Sequence, residues 1–157
     1  MMNTLCVAVP PAPTFTGGNT ATQLRLRYAG TRVLLTDDDP IAREIMCYFL
    51  EDVGLVVEMA SNGQQAVELA RHNEYDLILM DLQMPELDGI AATRAIRNTG
   101  ANSQNRRTPI LAMTATAIDE DWQFCIDTGM NGLIAKPVRI DTLYETLLAC
   151  LSRAALD

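Results

Sequence analysis

The stretch that decides the fold is Leu77-Ile78-Leu79-Met80-Asp81, a short apolar run that ends on an acid. Such a run is typical of a strand buried on both faces of a parallel sheet. Four other segments of the chain have the same character. The corresponding predicted strands are Val33–Leu35, Leu55–Val57 with Met59, Ile110–Met113 and Gly132–Ala135.

A predicted helix follows each predicted strand. Asp39 and Pro40 indicate an N-cap with proline at the first helical position, and Gly54 marks the end of that helix. Ser61 and Gln64 predict a capping box for a helix over 63–71. The other predicted helices cover 89–97, 117–127 and 140–153. Five strand–helix alternations predict a flavodoxin-like α/β fold, a doubly wound five-stranded parallel sheet in the order 2-1-3-4-5 with helices on both faces.

Outside this pattern lie a tail and one long connection. Residues 1–30 are rich in Pro, Gly and Thr, which predicts a linker or tail, and we place the domain at 31–155. Within the tail, Leu24–Tyr28 is either a short edge strand or no regular element. The 98–108 connection is longer than the usual αβ loop and is either a surface insertion or a partner contact through Arg106 and Arg107.

Composition excludes several classes of protein. The chain has 157 residues, with 20 acidic against 12 basic side chains and a formal charge of −8, which argues against nucleic-acid binding. It contains no apolar run long enough for a membrane span, and its N-terminus lacks the pattern of a signal peptide. Four widely spaced cysteines and a single histidine argue against a zinc site and favour reduced thiols in the cytoplasm.

Polar side chains with complementary chemistry follow four of the predicted strands. Asp37 and Asp38 follow the first strand, Asp81 ends the third, Thr114 follows the fourth and Lys136 the fifth. In the predicted strand order these positions share one edge of the sheet, where ligands bind. Carboxylates ~5 Å apart repel by roughly 3 kcal/mol per pair at an effective dielectric of ~20. A divalent cation with oxygen ligands, such as Mg²⁺, would offset that repulsion.

Each of these residues has a structural explanation when taken alone. Asp37 and Asp38 are ordinary loop or cap acids in isolation, and Thr114 alone would be structural. For Asp81, which follows a buried apolar run, a structural and a functional role are equally compatible with the sequence. Lys136 is less easily explained, because it is the only lysine among 12 basic residues, which favours a site that needs a compact point charge. A cis bond before Pro137 would aim that ammonium inward. As a set, these parts are those needed to receive a phosphoryl group.

Four segments together resemble the motif set of two-component response-regulator receiver domains. They are Thr36-Asp37-Asp38-Asp39-Pro40, Met80-Asp81-Leu82-Gln83-Met84-Pro85-Glu86-Leu87-Asp88-Gly89, Met113-Thr114-Ala115 and Ala135-Lys136-Pro137. The resemblance runs from about Arg32 to Arg153, with the motifs in the family's order. The second and fourth segments are most similar to receivers carried by hybrid sensor histidine kinases.

The resemblance implies a phosphoacceptor and a metal site. Asp81 would accept the phosphoryl group from a phosphohistidine on a partner. Asp38, Asp81 and the backbone carbonyl of Gln83 would bind Mg²⁺, or Mn²⁺, directly, and Asp37 would bind it through water. The domain would then switch conformation for signal transduction. It would not be a stand-alone enzyme, although it would catalyse its own phosphorylation from a phosphodonor and its own dephosphorylation.

The resemblance also implies how the phosphoryl group is held. Thr114 and Lys136 would contact its oxygens, and the small Ala115 would leave access to them. Many family members carry Tyr or Phe three residues before the lysine, but this chain has Leu133, so the coupling of Thr114 to a rotamer change there is in doubt. Four further residues would shape the adjoining loops: Pro85, Asp88, Gly89 and Pro137.

The expected partner is a histidine kinase or a histidine phosphotransfer protein, without nucleic acid or direct membrane contact, and a weak dimer is left open. Because the chain stops about 20 residues after Lys136, we expect no output domain. Thr4–Pro10 is similar to the last strand of a kinase ATP-binding domain, which favours a receiver cut from a hybrid kinase over a stand-alone regulator. Two other classes of protein compete with this interpretation. A haloacid-dehalogenase-like phosphatase needs an acid where Gln83 stands, and a pseudo-receiver would keep the fold without the chemistry.

Overall fold

A computed structural model describes residues 17–84, 87–98, 107–115 and 119–156 of the chain. It contains five strands and six helices in strict alternation after the first helix. The strands are β1 (Arg32–Thr36), β2 (Val56–Ala60), β3 (Leu77–Asp81), β4 (Ile110–Thr114) and β5 (Gly132–Ala135). The helices are α1 (Gly17–Tyr28), α2 (Pro40–Asp52), α3 (Gly63–His72), α4 (Gly89–Arg97), α5 (Asp119–Thr128) and α6 (Ile140–Leu156).

The five strands form one parallel sheet in the order β2-β1-β3-β4-β5, as predicted. The register decides which residues meet at the carboxyl edge. Thr36 pairs with Met80, so the residues that follow them, Asp37 and Asp81, lie at the same level of this edge. Thr114 at the end of β4 pairs with Ala135 at the end of β5. The fold therefore brings the ends of four strands to one rim.

The core consists of two apolar clusters, one on each face of the sheet. Alternation along each strand assigns its residues to the two clusters, so that Leu77 and Leu79 pack on one face and Ile78 and Met80 on the other. All four are completely buried. This explains why β3 has an apolar run without polar alternation: both of its faces are covered by helices.

Helix α3 is capped differently from the prediction. Its N-cap is Asn62, whose side chain accepts a hydrogen bond of 2.7 Å from the Gln65 backbone N–H. The Ser61 backbone N–H donates to the side-chain oxygen of Gln65, with N and O 2.6 Å apart. The predicted pair of Ser61 and Gln64 was therefore wrong by one residue at each position. By contrast, Asp39 caps α2 as predicted, since its side chain accepts from the Ile41 N–H.

Residues 17–28 form a helix, α1, and not the linker or the short edge strand that the sequence suggested. Leu24 is completely buried in the cluster that contains the apolar side chains of α6. The Tyr28 hydroxyl lies 3.1 Å from the Ser152 hydroxyl, and Arg25 forms an ion pair of 3.1 Å with Asp52. Tertiary contacts with α6 and α2 therefore stabilise this segment as part of the domain, although its local sequence has only a weak helical pattern.

Several predicted features lie outside the described residues: the Thr4–Pro10 strand, Pro85, Arg106 with most of the 98–108 connection, and the predicted start of α5 at Ala117. Of the two arginines in that connection, Arg107 is described and is exposed. Within the described ranges, no helix has both the length and the apolar character that crossing a bilayer requires.

Candidate functional site

The carboxyl rim of the sheet gathers three carboxylates and the lysine. The ammonium nitrogen of Lys136 lies 3.1 Å from Asp81 Oδ2 and 3.4 Å from Asp37 Oδ2. Asp37, Asp38 and Asp81 each offer an oxygen within 4.8 Å of the others. Asp37 and Asp81 are buried, with relative exposures of 1% and 2%, whereas Asp38 faces solvent. The site is thus a half-open acidic cup with the Lys136 ammonium in contact with two of its carboxylates.

Backbone hydrogen bonds hold the two acidic loops in place. The Asp39 N–H donates to Asp37 Oδ1 at 3.0 Å, and the Gln83 N–H donates to Asp81 Oδ1 at 3.1 Å. Each buried carboxylate is therefore oriented by the N–H two residues ahead of it, which is the usual behaviour of Asp in a turn. In both residues Oδ1 is used in this way and Oδ2 faces the lysine.

The buried positions change the proton affinities of these groups. Burial raises the pKa of Asp81 from 3.8 to about 6, and the hydrogen bonds from Gln83 and Lys136 only partly counteract it. Burial alone would lower the pKa of Lys136, but the hydrogen bond and charge of Asp81 and the charge of Asp37 raise it. At neutral pH both Asp81 and Lys136 are therefore charged, and the lysine is held firmly as a cation.

The arrangement fits a hard divalent cation. The buried Asp37 Oδ2 is shielded from water, and its contact among the described residues is the ion pair of 3.4 Å with Lys136, without a hydrogen bond of good geometry. Its acceptor capacity is therefore largely unused, which is costly for a buried carboxylate and favours a further cation. Oxygens from three carboxylates, one of them reachable from solvent at Asp38, form the ligand set that Mg²⁺ prefers. Gln83 follows Asp81 on the rim and is exposed there; its backbone carbonyl as a fourth ligand stays a prediction.

The affinity for Mg²⁺ should depend on pH. Because the pKa of Asp81 is raised to about 6, a proton competes with the cation for this carboxylate below that pH. We expect the dissociation constant, measured by calorimetry, to rise towards about tenfold per pH unit as the pH is lowered from about 6 to about 5. Equal affinities at about pH 7.5 and about pH 5 would contradict this assignment.

The residues predicted to contact a phosphoryl group lie on the same rim. Thr114 is the last residue of β4 and is 2% exposed, and Ala115 follows it at the surface. Leu133 pairs with Ala112 in the middle of β5, and its aliphatic side chain packs partly against the core. The Lys136–Pro137 peptide bond is cis, as the sequence suggested.

Two loop residues have roles that the structure makes specific. Asp88 is the N-cap of α4, with its Oδ1 accepting a hydrogen bond of 2.8 Å from the Ala91 N–H. Gly89 packs so closely against β3 that a Cβ would collide with the carbonyl oxygen of Asp81 and with the backbone of Leu82. The resemblance implied only that Gly89 shapes the adjoining loop. The structure shows that the absent side chain lets α4 approach the acid.

Replacing Gly89 with alanine should therefore destabilise the protein. Its Cβ would meet rigid backbone, so α4 would have to move, and overpacking of this kind typically costs about 1–3 kcal/mol. Urea unfolding of the variant measures this loss. Gly30→Ala is the comparison. A Cβ added at Gly30 would have no atom within 4 Å, so only the backbone φ of +90°, which side chains rarely adopt, disfavours alanine there. A Gly89→Ala variant as stable as the parent chain would contradict the close approach.

Two residues of the site region gave no usable signal in the sequence. A Cβ on Gly63, the first residue of α3, would collide with the carbonyl of Leu87, so α3 also needs a glycine where it meets the loop after Asp81. Arg43 lies in the first turn of α2 and donates a hydrogen bond of 2.7 Å to the Asp37 carbonyl. Only their position near the acidic motifs could have drawn attention to them.

Comparison with known proteins identifies the family. The family model described as "Response regulator receiver domain" matches residues 33–148. Over 120 residues the chain is 38% identical to hybrid signal transduction histidine kinase K of Dictyostelium discoideum, covering 74% of this chain and 10% of the kinase. It is 37% identical to transcription factor SKN7 of Saccharomyces cerevisiae, covering 78% of this chain and 19% of that protein. The chain thus spans a small part of the curated relatives it matches.

Solved structures agree with this assignment. The receiver domain of sensor histidine kinase PA1611 from Pseudomonas aeruginosa, solved with magnesium in its active-site cleft, is 38% identical with a TM-score of 0.71, covering 79% of this chain and 99% of that one. Chemotaxis protein CheY4 of Vibrio cholerae is 33% identical with a TM-score of 0.72, covering 78% and 99%. Domains of this class accept phosphoryl groups from histidine kinases or phosphotransfer proteins. The chain belongs to the response regulator receiver domains of two-component signalling.

Proposed function

We propose that Asp81 is the phosphoacceptor of this receiver domain and that Asp37, Asp38 and Asp81, with the Gln83 carbonyl, hold a Mg²⁺ or Mn²⁺ ion. The observation that carries the proposal is the contact between Asp81 and Lys136 in a cup of three carboxylates. A bound divalent cation would neutralise charge on the transferring phosphoryl oxygens. The phosphodonor would be a phosphohistidine on a histidine kinase or a phosphotransfer protein.

The chain's own residues would perform the transfer by positioning. One carboxylate oxygen of Asp81 forms the new O–P bond while the P–N bond of phosphohistidine breaks, and the imidazole leaves with the electron pair and takes up a proton. Because the pKa of Asp81 is about 6, the carboxylate is ionised at neutral pH and needs no general base. The Gln83 N–H and the Lys136 ammonium keep it from rotating.

The same geometry suggests how phosphorylation is sensed. Lys136 now contacts two carboxylates, and a phosphoryl group on Asp81 would offer its ammonium a stronger anionic partner. Thr114, at the end of the neighbouring strand, would contact another phosphoryl oxygen, and Ala115 would leave space for it. With Leu133 at the family's usual aromatic position, the conformational response would run through the loops after β4 and β5 and not through an inward-turning ring.

We propose that this domain is part of a hybrid histidine kinase and that the domain lies in the cytoplasm. The identity of 38% to a hybrid histidine kinase and to the receiver domain of a sensor histidine kinase supports this. The acidic net charge of −8 fits a protein partner and disfavours nucleic acid. The alternative of a stand-alone regulator is distinguished by the sequence that flanks this chain in its gene.

The direct test of the proposed function is chemical phosphorylation. Incubation of the chain with acetyl phosphate and Mg²⁺ should give an intact-mass shift of one phosphate, and beryllofluoride with Mg²⁺ should raise the melting temperature. A chain that forms no adduct and does not respond to beryllofluoride would be a pseudo-receiver, with the family's fold and without its chemistry.

A further inference from the structure

Arg43 connects helix α2 to the acidic loop that precedes it. Its guanidinium donates a hydrogen bond of 2.7 Å to the backbone carbonyl of Asp37, and its own backbone N–H donates to the Asp39 carbonyl at 2.9 Å. The side chain is half-buried beside the site. Arg43 is therefore bound to the β1–α2 loop at two points, one of them the peptide that joins Asp37 to Asp38.

The Asp37 carbonyl completes a set of contacts around this residue. The Asp37 N–H donates to the Ala60 carbonyl at 3.2 Å, and Asp37 Oδ1 accepts from the Asp39 N–H at 3.0 Å. Only Asp37 Oδ2 is therefore available to bind a cation, and it lies 3.4 Å from the Lys136 ammonium. With its carbonyl, amide and Oδ1 engaged, the peptide plane after Asp37 has one orientation, and this orientation decides where the Asp38 side chain leaves the loop.

We infer that Arg43 is a positioning residue for the cation site: by holding the Asp37 carbonyl it keeps the carboxylates of Asp37 and Asp38 directed at one point. The inference rests on the proposed function, because it assumes that these carboxylates bind Mg²⁺. Arg43 contacts neither carboxylate in the structure, so its effect on the metal acts through the loop.

The charge of Arg43 and its positioning role predict opposite effects on metal affinity. A guanidinium near three carboxylates repels an incoming cation, so if charge were its only influence, a neutral replacement would bind Mg²⁺ more tightly. If Arg43 positions the loop, a neutral replacement frees the Asp37–Asp38 peptide and weakens binding. The sign of the change separates the two explanations.

The experiment measures Mg²⁺ binding to the full chain by calorimetry. We expect Arg43→Gln to raise the dissociation constant about tenfold, the size typical of losing a group that orients metal ligands. Arg43→Lys keeps the charge and one donor, and should recover part of the loss. If Arg43→Gln fails to fold, Arg43→Met takes its place with the same expectation. Arg71→Met is the matched control, because it removes an equal charge from an exposed position on α3 and should change the constant by less than about twofold.

Phosphorylation by acetyl phosphate gives a second measurement. The Mg²⁺ concentration for half-maximal rate should rise in Arg43→Gln as the dissociation constant does, while the rate at saturating Mg²⁺ stays within about twofold of the parent. An unchanged or lower dissociation constant in the neutral variants, with the parent chain binding Mg²⁺, overturns the inference and leaves the proposed function intact. A parent chain that binds no Mg²⁺ overturns the metal site of the proposed function, and the inference with it.

Discussion

Asp81→Asn is expected to abolish the phosphate adduct that the unmodified chain forms with acetyl phosphate and Mg²⁺. The amide oxygen of asparagine carries no negative charge and does not attack phosphorus, so the loss should be complete and not partial. Intact-mass spectrometry after incubation measures the adduct directly. Asparagine has nearly the same shape as aspartate, which leaves the Gln83 N–H a side-chain oxygen to bond.

The fold should survive this substitution. Because burial raises the pKa of Asp81 to about 6, the folded chain binds its proton more tightly than the unfolded chain does. Without metal, ionising Asp81 therefore lowers stability as the pH rises from about 4 to about 6. Asparagine cannot ionise, so the variant does not lose this stability. At neutral pH and without metal, its midpoint of urea unfolding should equal or exceed that of the parent chain.

Asp88→Asn is the matched control for the adduct. It makes the same chemical change seven residues along the chain at an exposed carboxylate, and asparagine is as good an N-cap as aspartate for α4. Asp88→Asn should therefore be phosphorylated like the parent chain. An adduct that persists in Asp81→Asn, or one that disappears in Asp88→Asn alone, would contradict the assignment of the phosphoacceptor.

The second large effect is stabilisation by Mg²⁺. The three carboxylates lie within 4.8 Å only in the folded chain, so the cation binds the folded state and not the unfolded one. At 100 times its dissociation constant it should add ~2.7 kcal/mol to the free energy of unfolding. For a domain of this size that corresponds to a rise of roughly 5–10 °C in melting temperature. Thermal unfolding followed by circular dichroism, with and without Mg²⁺, measures it.

Variants of the site give this prediction its control. Asp38→Asn removes an exposed carboxylate of the cup and should reduce the stabilisation by Mg²⁺ strongly. Asp141→Asn, at an exposed carboxylate in the first turn of α6, should leave it unchanged. Melting curves of the parent chain that do not respond to millimolar Mg²⁺ would exclude the metal site.

Much of the architecture was predictable because its causes are local in the chain. Strands covered by helices on both faces need uninterrupted apolar residues, so Leu77–Met80 could be recognised without knowing its neighbours. Parallel strands also place all their carboxyl ends on one edge. The position of Asp81 and Lys136 directly after strands was therefore enough to predict that they would meet.

Other features were decided only by contacts between distant segments. Helix α1 has a weak helical pattern, and Leu24 is ordered there because it is buried against α6, more than a hundred residues away in sequence. Gly89 is required by the backbone of β3, which its own neighbours in sequence do not reveal. The bond from Arg43 to the Asp37 carbonyl depends on how α2 leaves the sheet.

The amino-acid sequence by itself determined which acids, which hydroxyl and which lysine lie at the ends of the strands. It therefore determined the kind of site that the fold could form. The tertiary structure decided how closely they approach, that Asp37 Oδ2 is buried with only the ion pair to Lys136 among the described residues, and that burial raises the pKa of Asp81. The physical reason is the distance along the chain over which each effect acts. Strand and helix patterns arise from neighbouring residues, whereas desolvation and close packing depend on segments that meet only after folding.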